Sequence, residues 1–244
     1  MFDDYFEVFL ADTSESKAIN YSIRYQVYCE EMGFENKDDF PLEQEYDGFD
    51  QNSEHFIVRH RQTGHWVGAL RLIFKYDKLL PIEQTCDLNE VIGQSSFYNS
   101  VELSRLCLIK EIRRRFNDFD PPHGITNENE EIKESDNIKM FNNRRINRSI
   151  IWGIINAASE YCFFNNIPNW YFMTTPALVK ILKKGSCEMS LIGEPCYHRG
   201  ERYPYKKDVF EAYKNESWRK DFKNGFGYRN YSELKDYLAL SVAA

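Results

Sequence analysis

Apolar positions recur along this chain at two spacings, and the switches between them outline its elements. Residues 6–10 read as a first strand. Ala18, Ile19, Ile23, Val27 and Tyr28 then fall three or four apart, one face of a helix that Ser14 or Ser16 can cap. A polar, acidic loop over 35–50 is too long for a simple turn. Residues 55–58 and 66–73 read as strands joined by a Thr63-Gly64 turn, an antiparallel hairpin. A short helix is expected over 88–92, and a strand over 101–109. Residues 144–165 make the longest helix, with Ile150, Ile151, Ile154, Ala157, Ala158 and Tyr161 inward and Pro168 as its stop. A buried strand over 170–174 and a helix over 177–184 ending at Gly185 follow. The tail from Lys206 alternates aromatic and charged residues and is expected to end in a helix over 232–240. Between Asn117 and Asn137 the chain is rich in Asp, Glu, Asn and Pro, the mark of an exposed polar insertion. There is no internal repeat. The order of strands and helices predicts a mixed α/β single domain.

One strand breaks its own pattern. Val101 and Leu106 to Ile109 are apolar, yet Glu102, Ser104 and Arg105 stand between them. Burying a charge without a partner is expensive, so such a strand is expected to line a cleft. Alternation puts Glu102 and Ser104 on one face and Arg105 on the other, unless a bulge re-aims one of them. Arg71 interrupts another apolar strand, Arg24 sits in the first helix, and Glu43, Glu45, Asp47 and Asp50 crowd the acidic loop. These arginines and acids either neutralise one another in structural ion pairs or converge on one polar pocket, and their number favours the pocket.

Composition narrows the class. Over 244 residues the chain is 42% hydrophobic and 16% aromatic, enough for a packed core. A formal charge of −7 argues against a surface given over to nucleic acid, while leaving room for a local basic patch. Six scattered cysteines without a Cys-x-x-Cys pair read as neither a disulfide framework nor a zinc knuckle, and suit a reducing cytoplasm. The start, Met-Phe-Asp-Asp, has no signal-peptide pattern, and no apolar run approaches the roughly 20 residues of a membrane span. Phosphate-binding glycine loops, H-E-x-x-H and G-x-S-x-G are absent. His55, His60 and His65 are separated by a turn, which disfavours a metal site, and Cys107 reads as a small core hydrophobe.

Taken in order, four segments carry a resemblance: Arg24-Tyr25-Gln26-Val27-Tyr28, Glu45-Tyr46-Asp47, Val67-Gly68-Ala69-Leu70-Arg71-Leu72 and Glu102-Leu103-Ser104-Arg105. The set resembles the acyl-homoserine-lactone (autoinducer) synthases, whose form is roughly R-x-x-V-[FY], D-x-x-D, G-x-x-R-L and E-x-S-R. The later stretches Thr174-Thr175-Pro176-Ala177-Leu178 and His198-Arg199-Gly200-Glu201-Arg202-Tyr203-Pro204-Tyr205 look closer to the bacterial acyltransferases associated with PEP-CTERM/exosortase systems, relatives of N-acyl amino acid synthases. The resemblance implies a GNAT-like (acyl-CoA N-acyltransferase) fold, a mixed, mostly antiparallel sheet flanked by helices. In that fold a central strand splays from its neighbour and the acyl thioester enters the gap. The domain is expected to span 1–205, with the polar insertion at about 117–143 and an extension over 206–244 packed on it. Gln44 stands where the autoinducer synthases tend to have the first Asp of their pair, and Phe34 replaces their usual Trp, so S-adenosylmethionine is not carried over as substrate.

The expected chemistry is transfer of a medium or long acyl chain from acyl carrier protein or acyl-CoA, as co-substrate, to a small amine acceptor, with no permanently bound cofactor and no metal. Glu102 is the expected general base, its pKa raised by apolar surroundings. Ser104 donates to the thioester oxygen or orients the amine. Arg71 and Arg105 bind an acceptor carboxylate or hold the acidic loop, Arg24 pairs with Asp47 beneath the site, and Thr174 ends the strand along which the acyl chain passes. Trp152, Phe163, Phe164 and Phe172 either line that passage or are ordinary core. Arg113, Arg114, Arg115, Arg144, Arg145 and Arg148 form an expected basic patch for an acidic carrier protein, favoured over free coenzyme A because the strand does not run into a glycine turn. Two alternatives stand beside this: a short-chain acetyltransferase using acetyl-coenzyme A, and a non-catalytic acyl-binding or sensor domain.

Overall fold

The computed structural model describes residues 2–93, 100–112, 144–185, 187–215 and 227–235, with the backbone alone for 144–149. A short helix α1 (Phe2–Tyr5) leads into β1 (Phe6–Leu10) and α2 (Ser14–Arg24), which continues into a π-helical turn (Tyr25–Glu31). The cap of α2 is Thr13, not Ser14 or Ser16. Its hydroxyl accepts from the Ser16 N–H at 3.1 Å while Ser16 Oγ accepts from the Thr13 N–H at 3.0 Å, a reciprocal box that satisfies two donors. The hairpin is present as β2 (Ser53–His60) and β3 (Trp66–Phe74). No helix forms over 88–92, where Leu88 instead bridges Gly193. The short helix lies earlier, α3 (Pro81–Thr85), because Pro81 at its first position has a backbone angle already suited to a helical start.

The second half contains β4 (Ser100–Leu108), α4 (Arg144–Phe164), β5 (Asn169–Thr174) and α5 (Pro176–Lys184), then the short β6 (Ser190–Leu191) and β7 (Cys196–Tyr197). An eight-residue strand, β8 (Glu201–Asp208), was not expected from its charged and aromatic residues and Pro204, and it runs across the anticipated boundary at 205. Neighbours on both sides make it a strand: β5 pairs with it along its length, from Asn169↔Asp208 to Thr174↔Tyr203, and β6 and β7 pair with its other side. Then come α6 (Val209–Tyr213) and β9 (Arg229–Asn230). Residues 231–235 are helical, while 236–240 of the expected last helix and the insertion at 117–143 lie outside the described residues.

The sheet runs β6-β8-β5-β4-β3-β2-β1-β9, with β7 beside β8, and is antiparallel apart from the β4–β5 and β1–β9 pairs. Its two faces are told apart by what they meet. Phe56 packs edge-on against Tyr161 of α4, whereas His55 packs edge-on against Tyr21 of α2, so α4 and α2 cover opposite faces. The parallel pair β4–β5 is joined only from Ser100↔Asn169 to Glu102↔Tyr171. Beyond Glu102 the two strands part, and the sheet opens.

Cys86 and Cys196 form a disulfide, 110 residues apart in sequence and 5.2 Å between Cα atoms, a bridge that the reading of the cysteines as no disulfide framework did not anticipate. Spacing could not reveal it, because the sheet rather than the local sequence brings α3 beside β7. Cysteine usage therefore no longer argues for a reducing compartment. The same junction holds Asn89 N–H to Ile192 O at 2.7 Å and Glu194 N–H to Asp87 O at 3.2 Å. A Cβ on Gly193 would lie 2.2 Å from the Asp87 carbonyl oxygen, so only glycine lets the two segments meet. Gly193→Ala is expected to cost about 1–3 kcal/mol through this overpacking, measured as a lowered midpoint in urea denaturation with the disulfide intact.

Candidate active site

Three arginines and three carboxylates occupy the α2 face where β3 and β4 lie side by side. Arg24, fully buried at the end of α2, donates from Nε to Glu45 at 2.5 Å and from both Nη atoms to Asp50 at 2.6 and 3.0 Å. Arg71 on β3 donates to Asp47 at 2.6 Å, to Asp50 at 3.0 Å and from Nε to Ser104 Oγ at 2.9 Å. Arg105 on β4 reaches Glu45 at 2.9 Å and Asp47 at 3.1 Å. The expected Arg24–Asp47 pair is replaced by Arg24 with Glu45 and Asp50, and Asp47 belongs to Arg71 and Arg105. Burial works to raise the pKa of Glu45, yet Arg24 and Arg105 outweigh it and hold it at about 2. Asp50 is lowered in the same way by Arg24 and Arg71 against its burial. His55 lies 3.7 Å from Asp50, but burial lowers its pKa to about 3, so the ring is neutral and this is no ion pair.

Arg105 joins this group because β4 bulges. Its φ is +53°, and the β3–β4 register shifts between Ala69 and Arg71. The extra residue turns Arg105 onto the face that already carries Glu102 and Ser104.

Glu102 is 1% exposed and sits at the last paired position before β4 and β5 part. Its Oε2 accepts from the Ile82 N–H at 2.9 Å, one of the donors that the first turn of α3 leaves without an intrahelical partner. Burial raises its pKa to about 8, with the Ile82 N–H pulling the other way. Beside it, Ser104 Oγ accepts from Arg71 and keeps its own hydrogen free to donate.

A cavity of about 330 Å³ runs through the gap. On the α2 face its wall includes Asp47, Arg71, Glu102, Ser104, Arg105 and Arg199; on the α4 face it includes Leu103, Ile155, Trp170, Phe172, Leu178 and Leu182. A polar chamber therefore connects through the sheet to an apolar one. Among the described residues no His, Cys, Asp and Glu group gathers that could hold a metal ion.

Residues 23–118 match the acetyltransferase (GNAT) domain family. A search of curated proteins finds no match. Among solved structures, a CoA-dependent acyl-homoserine lactone synthase, BjaI, with SAM and isopentyl-CoA, superposes with a TM-score of 0.62 at 12% identity over 93% of each chain. The acyl-homoserine lactone synthase LasI gives 0.58 at 14% identity, over 91% of this chain and 96% of its own. TofI, in a ternary complex with an inhibitor and MTA, gives 0.57 at 15%, over 83% and 91%. The chain has the GNAT fold. The domain match and this fold support an acyltransferase.

Within the GNAT fold, Glu102, Ser104, Arg105, Arg71, Asp47 and Thr174 all border the one cavity, while Arg24 lies behind it, buttressing the acidic loop. Arg71 and Arg105 are occupied by Asp47, Asp50 and Glu45, so they hold the loop rather than stand free for a ligand. Of the four aromatics considered for the passage, Phe172 lines it and Trp152, Phe163 and Phe164 do not. Arg113, Arg114 and Arg115 lie outside the described residues, and Arg144, Arg145 and Arg148 are placed by backbone alone at the start of α4. His198, Arg199 and Arg202 at the cavity, and Glu35 paired with Arg199, received no role from the sequence. The string His198-Arg199-Gly200-Glu201-Arg202 was visible as a motif, but its place beside Tyr28 and Phe34 comes from the β8 pairing. Arg24→Met would leave Glu45 and Asp50 short of a buried cation. A loss of about 3–5 kcal/mol is expected, read from the denaturation midpoint.

Proposed function

We propose that this chain is an N-acyltransferase that moves a medium or long acyl group from a thioester to the amine of a small acceptor such as an amino acid. The observation that carries the reading is Glu102, buried at the fork of β4 and β5 where the polar chamber meets the apolar one. An acyl chain fits the apolar limb bounded by Ile155, Trp170, Phe172, Leu178 and Leu182, and Thr174 lies along the same wall. Its thioester then lies at the fork, with the acceptor entering from the α2 face. The unpaired edges of β4 and β5 beyond Glu102 offer backbone donors and acceptors to the amide-bearing arm of a carrier or coenzyme.

In this reading the amine nitrogen attacks the thioester carbon as the Glu102 carboxylate takes its proton. The Ser104 hydroxyl donates to the oxyanion, the carbon–sulfur bond breaks, and the leaving thiolate recovers the proton from Glu102. An amide and a thiol result. Arg71 and Arg105 act as positioning residues that keep Ser104 and the acidic loop in place.

BjaI is named for a CoA-dependent reaction, which favours an acyl thioester donor here too. Its SAM is not carried over, since Gln44 and Phe34 depart from the autoinducer-synthase pattern. The apolar limb is larger than an acetyl group needs, which weighs against short-chain transfer. A buried carboxylate at the fork whose pKa is raised to about 8 weighs against a purely binding role. The later motifs favour the PEP-CTERM/exosortase-associated branch. Thioester donors of this type favour a cytoplasmic reaction. Arg113, Arg114, Arg115, Arg144, Arg145 and Arg148 are the proposed docking patch for an acidic acyl carrier protein; the positive N-terminal end of α4 adds to it.

Thiol release from acyl-CoA and acyl-carrier-protein donors of graded length, against a set of amines, tests the reaction. Glu102→Gln is expected to lower turnover by about 10²–10⁴-fold; full activity in that variant removes Glu102 from the mechanism. Because the base must be ionised, kcat/KM is expected to rise as pH rises through about 8. The folded-state pKa of this acid is raised, so its ionisation costs stability progressively from pH 4.5 to about 8, and Glu102→Gln should denature later than the native chain at pH 8. Charge reversal at Arg144, Arg145 and Arg148 is expected to raise KM for the carrier-bound donor about tenfold or more and leave acyl-CoA little changed.

A further inference from the structure

Among the described residues, the cations that line the cavity, together with Arg24 behind it, are matched by acids with one exception. Arg24, Arg71, Arg105 and Arg199 stand against Glu45, Asp47, Asp50 and Glu35, four against four, and Lys207 pairs with Glu211 at 3.0 Å. Arg202 has no carboxylate among the described residues. Its Nη1 donates to the Glu201 carbonyl at 3.1 Å and its Nη2 to the Arg199 carbonyl at 3.0 Å, which leaves three of its five N–H groups uncommitted in a half-buried side chain that lines the cavity. The turn before it is built to present it. Arg199 and Gly200 both have left-handed backbones, with φ of +53° and +103°, and the His198 N–H closes the turn on the Gly200 carbonyl at 2.9 Å.

Around that turn the chamber is short of negative charge. Arg199 stacks over Tyr28 and Phe34 and reaches across to Glu35, so it is spent on holding the loop. His198, kept neutral by burial and by Arg105 and Arg202, adds no charge but offers a ring nitrogen at the same wall. Burial, aided by Arg199, disfavours the charged form of Arg202. An uncompensated guanidinium in such a place is completed by an anion.

We infer that Arg202, with His198 beside it, forms an oxyanion-binding site in the cavity that takes a carboxylate or phosphate carried by a substrate. The position suits either source. Tyr203 pairs with Thr174, three residues along β5 from the Glu102 partner Tyr171, so Arg202 stands about 13 Å along the sheet from the fork at about 3.3 Å per residue. An extended acceptor with a terminal carboxylate spans that distance, as does the phosphate-bearing arm of a donor whose thioester lies at the fork. The inference deepens the acyltransfer reading and rests on it for the identity of the ligand, though not for the existence of an anion site.

Binding to the full chain separates the sources. N-dodecanoylglycine against N-dodecanoylglycinamide isolates a carboxylate; dodecanoyl-CoA against S-dodecanoyl-N-acetylcysteamine isolates phosphate. In the native protein the anionic member of one pair is expected to bind about 10- to 100-fold more tightly, and Arg202→Gln should collapse that ratio. Collapse in the first pair assigns the acceptor carboxylate, and collapse in the second assigns the donor phosphate. Arg202→Lys, which keeps charge and loses the fork, should fall between. Inorganic pyrophosphate needs no acyl chain: if it raises the melting point of the native protein but not of folded Arg202→Gln, the anion site stands even where no acyl ligand binds and no thiol is released. Equal behaviour of the native chain and Arg202→Gln towards all five probes overturns the inference.

Discussion

The buried meeting of Arg24, Arg71 and Arg105 with Glu45, Asp47 and Asp50 is the constraint on which the rest of this structure depends. Each arginine comes from a different element and each acid from one loop with little regular structure of its own. Taking six charges out of water is costly, and the mutual attraction roughly offsets that cost instead of adding a surplus. What the network supplies is a single allowed placement. The loop cannot shift by a residue without leaving a buried charge unpaired, so it forms a fixed wall for the chamber. The two lowered carboxylate pKa values express the same fact, since both acids stay ionised because the guanidinium groups are already in place.

Glu102 has the opposite environment a few residues away. It faces one backbone N–H and no ion-pair partner among the described residues, and burial raises its pKa to about 8. Carboxylates on one face are thus pushed to opposite ends of their titration range by how many cations each one meets. The parting of β4 and β5 at this residue joins a charged chamber to an apolar one, and the proposed acyl transfer rests on that junction, where an acyl chain would be kept out of water.

Much of this was legible in the residues. The hairpin, the Glu102 strand, the long helix and the helix ending at Gly185 follow from period-two and period-3.6 patterning, and acids or arginines inside apolar strands pointed to the candidate site. Elements whose existence depends on a partner were not legible. The strand at Glu201–Asp208 carries too many charges and a proline to be read alone, and it forms because β5 offers it a free edge. The Cys86–Cys196 bridge joins segments 110 residues apart. Thr13 outcompeted the serines as a cap because its hydroxyl and that of Ser16 satisfy each other's backbone donors.

By itself the sequence determined which residues would be charged where the core required apolar ones, and therefore that Glu102, Ser104, Arg71 and the acidic loop would have to be accommodated together. Local patterning suffices for that, because burial of a charge is costly wherever it occurs. Only the tertiary structure decided which acid meets which arginine, that Arg105 turns through a bulge to the Glu102 face, and that Arg202 meets no acid among the described residues. Those outcomes depend on distances between segments far apart in the chain, and electrostatic pairing is settled by distance and burial, which no linear spacing encodes.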